Sequence, residues 1–336
     1  MSSLKKKILI VCASVTGAGL ILLLGLFIKI KFNPVELNDV KQKIKTYDIS
    51  DEYSNIYVET KDADVRFIVS ENGRTTVTCI DGTAKDTVGV SSKGLTVISE
   101  KKKKTGTIFN PVFDFRKDNA PDITVSIPYM KLGDVAFITE NGKIEAEDFF
   151  LSETVNASLV TKNGEISYCM NTTGKCFIEN EKGKIAVKGL QCDSADVKIE
   201  GGEISLTGSD IKGEINLKAE SGEFIAEDVE CENLIAESDK CDLYLKNFRS
   251  RIAVNVKENS GNIKIRKSDA NIFVIDSKSG NVNAEFTSPK IYTVESKSGK
   301  INIPESLSGG MCKINTDSGN VRVSIVKEKI QTIKTN

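Results

Sequence analysis

The chain has 336 residues, 28% of them charged and 39% hydrophobic, with eight Cys, no Trp and no His. Without His there is no Ser-His-Asp or Cys-His catalytic unit and no His-ligated metal centre. Basic and acidic groups cancel to a net charge of -1, which argues against nucleic acid as a partner for the chain as a whole. Residues 1–7 are a short basic tail carrying Lys5, Lys6 and Lys7. Residues 8–28, ILIVCASVTGAGLILLLGLFI, hold no charge, and a helix of that length crosses roughly 30 Å of hydrocarbon. The stretch is longer than a signal peptide needs, and no small-x-small cleavage site follows Phe27, so a transmembrane anchor is expected. Lysines flank it on both sides and leave its orientation undecided; the short amino-terminal tail favours an extracellular domain at the cell membrane. Residues 29–45 read as a polar stalk. Residues 46–130 contain five strand-like segments and are expected to form a β-rich cap, with 101–120 as an exposed loop.

From 131 to 326 a short motif recurs: NGKI, NGEI, KGKI, GGEI, SGEF, KCDL, SGNI, SGNV, SGKI and SGNV. Its central positions are 142, 164, 183, 202, 222, 241, 261, 280, 299 and 319, all Gly except Cys241, spaced 19 to 22 apart. Counting from that position, the residues at -5, +2 and +4 are apolar or aromatic in every repeat, and -7 is so with Tyr292 as its most polar member. Apolar positions two apart are strand alternation. Two short strands and a turn cannot close a core alone, whereas coils stacked ~4.8 Å apart can. The expected fold is therefore all-β: a single-stranded β-solenoid of about ten 19–20-residue coils over 131–326, with a tail at 327–336. An antiparallel sandwich, or a propeller pairing two repeats per blade, stays open as the alternative. The turn Gly is expected to supply positive φ, and the small polar residues at -3 a hydrogen-bonding ladder.

Cysteines that share a repeat position, Cys176 with Cys312 and Cys192 with Cys231, lie seven and two coils apart, too far to bridge, so free thiols are expected, several acting as small buried apolar groups. Charge is uneven: 139–245 carries a net -13 and 246–336 a net +8, a pattern suited to head-to-tail self-association. Glu200, Glu220 and Asp239 at -2, with Glu203, Glu223 and Asp242 at +1, should line one edge, a candidate cation site for Ca²⁺. The preferred reading of the same crowding is a solvated, salt-screened edge.

The segment ITVSIPYMKLGDVAFITENGKIEAED (123–148) and the Ser-Gly-x-apolar turns after it resemble the bacterial "putative adhesin" β-strand-repeat family, a domain of unknown function. The resemblance covers about 45–325 and implies a strand-rich domain behind one amino-terminal helix in a bacterial envelope. It supplies no catalytic residues, and Cys241 departs from it. The expectation is a non-enzymatic, membrane-anchored cell-envelope protein presenting its solenoid for adhesion, assembly or envelope-stress contacts, with envelope proteins or glycans as partners. Two alternatives stand beside it: a carbohydrate-active solenoid enzyme using paired surface carboxylates, and a regulatory partner of a membrane sensor or transporter. Spacings held at 19–20 residues leave little room for the long loops that build an enzyme cleft.

Overall fold

The structure, a computed structural model, describes residues 44–80, 86–100, 121–146, 153–169 and 171–326. The expected anchor at 8–28, the basic tail, most of the stalk, the loop at 101–120 and the tail at 327–336 lie outside these residues. Among the described residues there is no helix long and apolar enough to cross a membrane.

Each repeat forms one coil of a parallel β-solenoid. In the Gly202 coil the chain runs along Ser194–Ile199, turns, returns along Glu203–Thr207, bends, and makes a short third side at Asp210–Ile211. The apolar columns stack in register. Ile204 lies beside Phe224, and Phe224 beside Leu243; all three are at most 3% exposed. Val135, Ala157, Cys176, Ala195 and Ile215 form a second row, and Phe137, Leu159, Ile178, Val197 and Leu217 a third. A buried aliphatic side chain contributes about 1.5–3 kcal/mol, so a coil with four such positions is held by its two neighbours rather than by itself.

The turn glycines hold their places for a reason other than the expected one. Among them only Gly222 has positive φ, at 105°. Instead the turns stack backbone on backbone. A Cβ on Gly164 would lie 2.2 Å from the Gly142 carbonyl oxygen, on Gly183 2.1 Å from that of Gly164, and on Gly280 1.7 Å from that of Gly261. The left-handed position is six residues later, at the corner into the third side: Gly189, Gly208, Asp228, Asn247 and Lys267 have φ of 65°, 60°, 55°, 49° and 48°. Gly, Asp and Asn tolerate this conformation best. The turn hydrogen bond expected at -3 is present in six of the ten repeats. Asn180, Glu258, Ser296 and Thr316 each accept a hydrogen bond from the turn amide three residues on, at 2.7–2.9 Å. Thr139 and Ser277 donate instead to the Gly142 and Gly280 carbonyls.

The region expected to be only a cap contains two further coils. Strand β1 is Ile44–Ile49, β2 Ile56–Thr60, β3 Val65–Val69, β4 Thr75–Ile80 and β5 Asp86–Ser91. They are followed by β6 Gly94–Ser99, β7 Ile123–Ile127, β8 Lys131–Thr139 and β9 Lys143–Ala146. β2 and β3 make a coil parallel to β8 and β9, with Ile56 beside Val135 and Val65 beside Ile144. Ala63 stands in the Gly slot, its carbonyl beneath Gly142. β6 and β7 make another coil on the far face of β2–β3. True capping falls to β5, antiparallel to β6, and to β4 and β1, with β4 antiparallel to β7 and β1 to β4.

At the other end the order of coils departs from the order of the chain. Strand Ile272–Ser277 of the Gly280 coil pairs with Gly310–Thr316 of the Gly319 coil, which pairs in turn with Lys290–Ser296 of the Gly299 coil. The last repeat is thus inserted between its two predecessors, and Ile272–Ser277 pairs with the copy after next rather than with the next copy that the repeat alone suggests. Pro304 explains the preference. It falls where the sister strand Val321–Ile325 continues, and it leaves Ile301–Asn302 only two residues long. A residue without an N–H belongs on an edge, so the Gly299 coil is outermost.

Candidate functional site

Along the turn ridge the stacked glycines leave a trough of about 640 Å³. Gly142, Gly164, Gly183 and Gly202 form its floor, because a glycine column carries no side chains to fill it. One wall is the -1 position, with Asn141, Asn163 and Lys182; the other is the +1 position, with Asp64, Lys143, Glu165, Lys184 and Glu203. From Gly142 to Gly202 the floor extends three coil spacings, about 14 Å.

The walls are ordered by their own ladders. Asn163 donates to Asn141 at 3.0 Å, and Asn141 to Asp62 at 2.7 Å. On the charged wall Lys143 reaches Glu145 at 2.7 Å and Glu165 at 3.6 Å, and Lys184 reaches Glu203 at 2.8 Å. The Glu145 contact holds the Lys143 ammonium above its ordinary pKa, and the Glu203 contact does the same for Lys184. Burial pushes the Glu145 carboxyl up, but hydrogen bonds from Lys143 and Arg66 outweigh it and leave the group lowered. Opposite charges therefore alternate along the wall. Such a trough can hold a polar ligand by hydrogen bonds but offers no poised acid or base.

The six carboxylates expected to line an edge do so, as two rows rather than one converging set. Glu203, Glu223 and Asp242 lie side by side in successive coils. Repulsion in the rows is relieved by protein groups. Lys184 takes Glu203, Lys198 takes Glu200 at 3.2 Å, Asn259 donates to Asp239, and the Asn262 amide donates to Asp242 at 2.7 Å. Glu220 and Glu223 are exposed. Among the described residues no three His, Cys, Asp or Glu side chains come close enough to hold one metal ion. From Asp242 the +1 row continues as asparagine. Asn262 donates to Asp242, Asn281 to Asn262, and Asn320 to Asn281, which repeats the inserted order of the last coil in side chains.

All seven described cysteines are free, as expected, and all but Cys169 are buried. Burial pushes the thiols of Cys192, Cys231, Cys241 and Cys312 up to about 12 and that of Cys79 to about 11. They are protonated packing groups, not nucleophiles. The trough itself escaped sequence reasoning. Its signal was the run of glycines at one spacing, which reads as a turn requirement until the carbonyls beneath are seen.

Three solved structures are similar to the chain. A Parabacteroides distasonis protein described as a "putative adhesin" is 15% identical, with 86% of this chain and 98% of that chain covered and a TM-score of 0.44. A second protein of that species, described as a "putative lipid binding protein", is 16% identical over 86% and 98% at a TM-score of 0.41. A Bacteroides fragilis "putative adhesin" is 12% identical over 86% and 99% at 0.40. No curated protein matches the chain. The family model described as Toastrack DUF4097 matches residues 53–223 and again 209–336, which takes in the two coils before the glycine repeats as well as the repeats themselves; the chain belongs to that family.

Proposed function

We propose that the chain is a non-enzymatic, membrane-anchored envelope protein whose solenoid offers its turn ridge as a linear binding face for adhesion or envelope assembly. The observation that carries this reading is the glycine-floored trough, with amide groups on one wall and alternating ammonium and carboxylate groups on the other. Its partner is an extended, hydroxyl- and amide-rich polymer of the envelope-glycan class, laid along the rod so that each coil meets the next unit. The paired charges of the wall neutralise one another and select against a strongly anionic polymer. The absence of His from the chain and the protonated, buried thiols support a binding role over a catalytic one. Anchoring rests on the uncharged stretch 8–28.

Co-sedimentation of the full chain with isolated cell-wall glycan tests the proposal. Replacing Lys143, Asn163 and Lys184 together by Ala should weaken binding by tenfold or more, since each charged hydrogen bond lost is worth about 1.5–3 kcal/mol. Equal binding by the triple variant removes the trough from the account. Protease shaving of intact cells tests orientation: a protected solenoid ends the adhesion reading.

A further inference from the structure

The carboxyl-terminal end of the solenoid is an unfinished sheet. Its outermost strand, Lys290–Ser296, is seven residues long and among the described residues pairs only with Gly310–Thr316, on its inner side. Tyr292 and Val294, which stand in columns buried elsewhere, are only partly covered. Four large apolar residues are exposed in the same neighbourhood: Ile291 at 50%, Ile301 at 43%, Leu307 at 99% and Met311 at 50%. Ile291 and Met311 are cross-strand neighbours, so part of this surface is one patch. A long unpaired strand beside exposed apolar side chains is an invitation to strand addition.

We propose that this edge is closed by a second copy of the chain, strand Lys290–Ser296 pairing antiparallel with itself across a two-fold axis at Thr293. Symmetry and residue pattern argue for this occupant. An isologous contact requires the same patch on both partners and, between two edge strands, antiparallel pairing. Thr293 is the midpoint of the strand. Pairing about it sets Tyr292 against Val294 of the second copy, both facing the core, and Ile291 against Glu295, both facing out. No like charges oppose each other, and the two cores become continuous. The amino-terminal end does not supply the surface for a head-to-tail contact of this kind, because β4 and β5 already pair with the strands of its outermost coil. The short strand Ile301–Asn302 with Pro304 after it blunts the other sheet. The association therefore stops at two copies joined through one long strand.

Thr293 is exposed, so charge can be placed there without entering the core. The full chain in mild detergent should show twice the mass of one chain by sedimentation equilibrium. Thr293→Lys and Thr293→Glu, each bringing like charges together on the axis, should each weaken the dimer at least tenfold while keeping the circular dichroism of the wild-type fold. Mixing the two variants should restore a dimer. Thr293→Cys should form an intermolecular disulfide on oxidation, since directly opposed strand residues stand within bridging distance. A wild-type chain that stays single at high concentration overturns the proposal. So does a dimer indifferent to charge at 293, or one that forms only after residues 327–336 are removed, which would make that segment the occupant.

Discussion

At the amino-terminal end the outermost coil keeps Leu95, Val97, Ile123 and Val125 at most 1% exposed, whereas the outermost coil at the far end leaves Ile301 43% exposed. Both coils carry the same apolar columns. Two antiparallel strands, β5 and β4, lie against the first, and β1 against β4; the second has a neighbour on one side only among the described residues. In a stacked fold the burial of a residue is thus set by its rank in the stack as much as by its chemistry.

That contrast can be broken by substitution within one column. Ile144→Ala, at a site with no exposure, should cost about 2–5 kcal/mol in denaturant unfolding. Ile301→Ala, in the same column at the open end, should cost less than about 1 kcal/mol, because little area is lost. Equal losses would mean that Ile301, which pairing through Lys290–Ser296 leaves open, is covered in solution.

The far end is secured instead by a buried ion pair. The Lys290 side chain is 2% exposed and its ammonium donates to Asp269 and Ser288, both at 2.5 Å. Lys290→Ala should cost about 3 kcal/mol, the low side of the range for a buried pair since Asp269 is 27% exposed. Hydrogen exchange should quicken from Ile272 onward and remain slow in the amino-terminal coils. The stacking of turns predicts a somewhat smaller effect: Gly280→Ala forces a Cβ against the Gly261 carbonyl and should destabilise by about 1–3 kcal/mol.

The mildest expected effect belongs between the ends. Glu258 is 1% exposed, and its Oε1 accepts from the Ser260 and Gly261 amides while Oε2 has no partner. Burial pushes its pKa above the ordinary carboxylate value. The folded chain then holds this proton more tightly than the unfolded chain. Its contribution is complete below the unfolded pKa and is lost as pH rises through the folded one. Melting midpoints of the wild type and Glu258→Gln should therefore diverge with rising pH, the wild type falling relative to the variant; parallel profiles would place the carboxylate in water.

Periodicity made the coils visible because each column repeats one physical demand, burial between identical neighbours. The two earlier coils obey it too, but Ala63 replaces the turn Gly, and residues 101–120 stand between β6 and β7, so the spacing was lost. The reason for the glycines was misread because a turn and a close backbone contact leave the same mark on a sequence. The order of the final coils was hidden more deeply. Gly280, Gly299 and Gly319 are evenly spaced whichever pair are neighbours; in the sequence Pro304 alone hints at the insertion, which the Asn281–Asn320 contact at 3.2 Å displays. The trough depends on side chains that are missing, which a list of residues does not display.

The inserted last coil also governs how the rod can be made. During synthesis β2–β3 appear first and accept later coils on either face in turn, so that end can grow by simple accretion. Residues 290–302 emerge before 310–325, yet their lasting neighbour is the later segment. Until it arrives they can only rest on the Gly280 coil in a provisional arrangement that must then open. Completion of this end is a rearrangement rather than an addition, and a released chain truncated after residue 305 should hold its final coil in the wrong place.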